Sequence, residues 1–96
     1  MRIVWSEPAA KDYRFVIEYI LAEWGESVAS EFINKVDKVI EIIIANPKVF
    51  PKSDFKNVRK VVILPQLSLF YIEEKSTVVI VRLWDNRQNP DKLKLK

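Results

Sequence analysis

The feature that most restricts this chain is its only glycine, Gly25, set between two long amphipathic stripes. Ahead of it, Ala9, Tyr13, Val16, Ile17, Ile20, Leu21 and Trp24 recur at steps of three and four, the period of one helical face. Behind it, Val28, Ala29, Phe32, Ile33, Val36, Val39, Ile40 and Ile43 do the same. The spacing predicts helices over about 7–24 and 27–45. Ser6 is placed to cap the first, with Glu7 and Pro8 in its opening turn, where an acid complements the helix dipole and proline gives up no hydrogen bond. Gly25 takes the position after the helix, where left-handed backbone is favoured. Asn46-Pro47 ends the second helix, because the residue before a proline is pushed out of α space. Two helices joined by one or two residues fold back on each other as an antiparallel hairpin.

After Pro47 the pattern changes. Val49 to Lys56 lacks periodicity and reads as a connecting loop, followed by β-rich runs over Val58–Leu64, Leu67–Glu73 and Thr77–Trp84. Short turns at Pro65-Gln66 and Glu74-Lys75-Ser76 make these three an antiparallel meander. The run Arg2–Trp5 is a fourth short strand, expected at an edge of the meander. The resulting architecture is α+β: an N-terminal strand, then an antiparallel α-hairpin packed on an antiparallel β-meander sheet, in one domain spanning 1–96. Strict alternation in the last strand places Val78, Ile80, Arg82 and Trp84 on one face and Val79, Val81, Leu83 and Asp85 on the other. The second set is expected to meet the helices, leaving Arg82 and Trp84 on the open face as an interface charge and anchor. Trp5 and Trp24 are expected in the core or at the hairpin end. Phe15 and Tyr19 fall off the main stripe of the first helix and form an apolar shoulder.

Composition narrows the chemistry. With no cysteine and no histidine, thiol catalysis, cysteine-held metals, histidine triads and the usual neutral-pH general base are all excluded. No metal site and no cofactor is expected. No apolar run is long enough to span a bilayer, and Met1–Glu7 does not read as a leader, so a cytoplasmic protein without a membrane partner is expected. The net charge of +3 is unevenly spread: residues 1–50 sum to −2 and residues 51–96 to +5. A basic surface built from the C-terminal half is a footprint for an anionic partner.

Three stretches carry a family likeness: Ile3-Val4-Trp5-Ser6-Glu7-Pro8-Ala9, Asn46-Pro47 with Phe50-Pro51, and Val81-Arg82-Leu83-Trp84-Asp85-Asn86-Arg87-Gln88-Asn89-Pro90. With the order of elements, they resemble the RelE/ParE superfamily of type II toxin–antitoxin toxins over essentially the whole chain. The resemblance implies a small toxin silenced by a cognate antitoxin. It also implies one of two targets: messenger RNA cut in the ribosomal A-site, as by RelE-like members, or DNA gyrase inhibited without cutting, as by ParE-like members.

Cleavage through a 2′-hydroxyl needs a base, positive charge on the phosphate and an acid for the leaving oxygen. The candidates for a nuclease are Arg87, Arg59, Lys60 and Tyr71, with Asp85 and Glu73 as further acid–base groups. Arg59 and Lys60 are neighbours in a strand and point to opposite faces, so both cannot serve one site. The middle strand has Ser68 about where nuclease members carry an arginine, and residues 85–96 hold neither histidine nor tyrosine. A ParE-like inhibitor therefore fits better than a ribosome-dependent endoribonuclease. A module that only binds an antitoxin is the third alternative. Target contacts are expected from Arg59, Arg82, Trp84, Asn86, Arg87 and Gln88, and antitoxin contacts from Phe15, Tyr19, Arg82 and Trp84.

Overall fold

In the computed structural model, which describes residues 1–87, the elements follow in the order β1 (Arg2–Trp5), α1 (Glu7–Trp24), α2 (Glu26–Ala45), β2 (Arg59–Leu64), β3 (Leu67–Glu74) and β4 (Thr77–Asp85). Ser6 caps α1 as its residue type demands, its hydroxyl accepting the Ala9 N–H at 3.1 Å. Gly25 alone joins the helices. Its N–H reaches back to the Ile20 and Leu21 carbonyls at 3.1 and 3.2 Å, and its own carbonyl accepts the Ala29 N–H that opens α2. Its backbone departs from the left-handed helical geometry expected: φ is 95° but ψ is 178°. That region is still closer to glycine's exclusive territory. A Cβ there would meet nothing within 4 Å, so the demand is on the backbone and not on space.

The sheet runs β1-β4-β3-β2. β2, β3 and β4 form the antiparallel meander, and β1 joins β4 in parallel, with Ile3 opposite Val78. The sheet is therefore mixed, with β1 on the edge. The helices cover one face only. Ala9, Ile20, Ala29, Phe32, Val36 and Ile43 pack against Val61, Ile63, Leu67, Leu69, Tyr71, Val78, Ile80 and Leu83. On the opposite face a smaller cluster gathers Val58, Phe70 and Trp84, with Phe55, Ile72 and Val81 beside them. Among the described residues no helix is long and apolar enough to cross a membrane.

The expected faces of β4 need correction. Phe70 lies opposite Arg82, but the next residue, Tyr71, lies opposite Ile80, so Val81 is an extra residue bulged out of the ladder. The bulge resets the alternation. Val78 and Ile80, assigned to the open face by strict alternation, are fully buried under the helices, and Leu83 joins them. Trp84 lies on the open face but is only 9 % exposed, buried in the second cluster.

Ser6 also secures this bulge. Its N–H donates to the Ile80 carbonyl at 2.9 Å and its hydroxyl donates to the Val81 carbonyl at 2.9 Å. One side chain thus starts α1 and accounts for the carbonyl that the bulge takes out of the ladder. Ser6→Ala removes both side-chain bonds and is expected to destabilise the fold by about 1–2 kcal/mol. Urea unfolding should show a lower midpoint with an unchanged slope; an unaltered midpoint would mean that water replaces the hydroxyl at no cost.

Candidate functional site

β1 pairs only with Thr77–Ile80, and at Ser6 the chain turns into α1. The far half of β4 is left without a strand on that side. Across the gap lies one shoulder of α1, where Asp12, Phe15, Val16 and Tyr19 recur at helical steps of three and four. The result is a groove of about 550 Å³ between α1 and β4, lined also by Leu64, Gln66 and Leu67 and by Trp24 and Val28 at the hairpin tip. Its apolar rim is unusually open: Phe15 is 70 % exposed, Tyr19 55 % and Trp24 67 %. Single exposed apolar residues are ordinary, but three large aromatics along one groove mark a place where another chain can dock.

The polar floor is tightly bonded. Asp12 accepts Arg82 Nε and Nη2 at 2.7 and 3.0 Å, and its Oδ2 also accepts the Leu83 N–H at 3.1 Å. The latter is a ladder amide on the half of β4 that β1 does not reach. Arg82 is therefore not the free open-face charge expected. It shares register with Phe70, but its guanidinium reaches the α1 carboxylate while lying 5.3 Å from the Trp84 ring centre. At the rim, Arg87 donates through Nε and Nη2 to the two oxygens of Asp85 at 3.0 and 2.7 Å, and through its backbone N–H to Oδ1 at 2.8 Å. Those bonds hold the Asp85 carboxyl below the usual carboxylate range. Asn86 is spent on the turn: its N–H donates to the Gln66 carbonyl, and its Oδ1 accepts the buried Ser68 hydroxyl at 3.0 Å.

Of the residues singled out from sequence, Phe15, Tyr19, Arg82, Trp84 and Arg87 thus line one groove. Gln88 lies outside the described residues. The remaining nuclease candidates sit elsewhere. Arg59 donates to the Phe50 carbonyl at 2.7 Å and the Lys48 carbonyl at 3.4 Å, clamping the exit from α2. Tyr71, opposite Arg59 in register, is fully buried and donates to the Pro47 carbonyl at 2.6 Å. Burial raises its pKa, away from the range a general base needs. Lys60 points to the other face, its ammonium 5.9 Å from the Phe70 ring centre. Glu73 lies 3.7 Å from the Lys48 ammonium. A second depression, of about 530 Å³, holds Lys52, Lys56 and Arg59 but also Glu73 and Glu74, so it has no marked charge preference. Among the described residues no group of three acidic side chains is placed to hold a metal.

Sequence reasoning missed Asp12, and it placed Trp24 in the core or at the hairpin end without assigning it to the groove. Asp12 stands one turn before the Phe15–Tyr19 shoulder, and that spacing was the available signal. Trp24 completes the core stripe by periodicity but lies in the last turn of α1 and is 67 % exposed.

Structural comparison places this fold beside known toxins. The ParDE system of P. aeruginosa matches with a TM-score of 0.74 at 17 % identity, over 88 % of this chain and 95 % of that one. The YoeB dimer of Staphylococcus aureus matches at 0.64 and 16 % identity, over 88 % and 94 %. The E. coli DinJ–YafQ complex matches at 0.58 and 18 % identity, over 88 % and 93 %. No curated protein matches significantly in sequence. Identities this low establish the fold alone. The family follows from the sequence itself, since residues 3–90 match the model for the ParE toxin of the parDE type II toxin–antitoxin system. With nearly the whole chain inside that match and every element of the fold in place, the protein belongs to the ParE toxin family of type II toxin–antitoxin systems.

Proposed function

We propose that this toxin arrests growth in the cytoplasm by binding DNA gyrase without cutting nucleic acid, and that a cognate antitoxin silences it by filling the groove between α1 and β4. The observation that carries the first half is the fate of the nuclease candidates. Tyr71 is buried on a backbone carbonyl, Arg59 clamps a loop, and Lys60 lies over Phe70 on the opposite face. Arg87 stands beyond the Leu67 end of β3, whereas Arg59 pairs with Tyr71 further along that strand. Among the described residues, an acid, a base and a free cation converging on one phosphate are not assembled. An inhibitor needs only a complementary surface, and the exposed rim around Arg87 supplies one. Arg87 is assigned to the target, and Phe15, Tyr19, Arg82 and Trp84 to the antitoxin. The second half draws support from the neighbours solved with antitoxins, such as the DinJ–YafQ complex.

The test sets gyrase supercoiling beside ribosome-programmed messenger cleavage, with purified toxin in both. Supercoiling should be inhibited and the messenger left whole. Arg87→Ala should weaken the inhibition at least threefold. Messenger cleavage lost on Arg87→Ala would instead establish the RelE-like ribonuclease, and no growth arrest on induction would leave an antitoxin-binding module only.

A further inference from the structure

Two of the three arginines expected to make a basic partner surface are committed to the fold, Arg59 to backbone carbonyls and Arg82 to Asp12. Arg87 differs. Its side chain is 75 % exposed, yet its side-chain and backbone N–H groups converge on one carboxylate, Asp85. Asp85 is the fixed party. It is the last residue of β4, opposite Leu67, its side chain is 25 % exposed, and the next residue is tied to Gln66 and Ser68.

The geometry of the fork decides what remains available. A guanidinium carries five N–H donors in one plane. Asp85 occupies the edge formed by Nε and one hydrogen of Nη2, so among the described residues the other end, Nη1 with the second Nη2 hydrogen, is left for another planar or tetrahedral anion. Two effects of the carboxylate oppose each other. Its charge weakens the attraction of Arg87 for an anionic partner, but between exposed groups that attraction is screened and small. Its bonds also fix a side chain with several rotatable bonds, removing much of the ordering that binding would otherwise require. Three hydrogen bonds to one carboxylate, one of them from the backbone N–H, favour the second effect.

We infer that Asp85 is the positioning residue for Arg87, holding one edge of the guanidinium so that the other is presented to an anionic group of the toxin's target. The inference rests on Arg87 contacting that target, as proposed above, and is independent of which target it is. The experiment is titrated induction without antitoxin, scoring the toxin level that gives half-maximal growth arrest, for wild type, Arg87→Ala, Asp85→Ala, Asp85→Asn and the Asp85→Ala/Arg87→Ala double variant. Asp85→Ala should raise that level about three- to tenfold, Asp85→Asn less, and the double variant should match Arg87→Ala, with melting temperatures unchanged. Asp85→Ala or Asp85→Asn as potent as wild type, or more so, would overturn the inference and make Asp85 a mask on Arg87. An Asp85→Ala effect that persists undiminished without Arg87 would overturn it too. A harmless Arg87→Ala would remove the target contact itself, and this inference with it.

Discussion

Asp12→Ala should lower the unfolding free energy by about 2–3 kcal/mol. Asp12 accepts three hydrogen bonds, two from Arg82 and one from the Leu83 amide. The side chains of the pair are 23 % and 19 % exposed, so the charges are partly desolvated and the loss falls below that of a fully buried pair. Truncation leaves a partly buried guanidinium and a ladder amide without acceptors. Asp12→Asn keeps an oxygen for the amide and should recover about half of the loss. Arg82→Lys should not rescue the fork, because an ammonium cannot form the paired in-plane bonds. Urea unfolding of the two single variants and of Asp12→Ala/Arg82→Ala closes a double-mutant cycle. A coupling below about 0.5 kcal/mol would demote the pair to an ordinary surface contact.

The second large effect concerns association. If the antitoxin fills the groove, Phe15 and Tyr19 are its aromatic anchors, and Phe15→Ala/Tyr19→Ala should raise the antitoxin Kd about 30- to 1000-fold. Their exposure of 70 % and 55 % means that the toxin itself loses little packing, so its melting temperature should hold. In cells the double variant should stay toxic but escape neutralisation when its antitoxin is co-expressed. Calorimetry showing an unchanged Kd would place the antitoxin elsewhere on the surface.

What could be read in advance followed from local chemistry. Ser6, Gly25 and Asn46-Pro47 mark the helix ends through caps, conformational freedom and steric exclusion, and the helices in the structure end there. β-branched runs separated by Pro65-Gln66 and Glu74-Lys75-Ser76 fixed the meander in the same way. The failures depend on contacts between elements, which no local signal in the sequence marks. The bulge at Val81 is a relation between β3 and β4 and is met by Ser6, so nothing in Val-Ile-Val-Arg announces it. Asp12 looks like any solvated helix carboxylate until a fold brings it to Arg82, 70 residues away. Trp84 beside Arg82 reads as an exposed anchor, yet Val58 and Phe70 bury it. Arg59 reads as free charge because the carbonyls it clamps bear no mark in sequence.

The parallel pairing of β1 with β4 has a consequence for how the toxin comes off the ribosome. Ile3 finds its partner only at Val78, and the Ser6 hydroxyl meets the Val81 carbonyl across 75 residues. The first strand made therefore waits for the last one before the sheet can close. Contacts of such long range form late and slowly, after the local hairpin of helices. A nascent chain that stops short of β4 has neither a closed sheet nor a wall for the groove. A fragment truncated before β4 is therefore expected to offer no groove to an antitoxin.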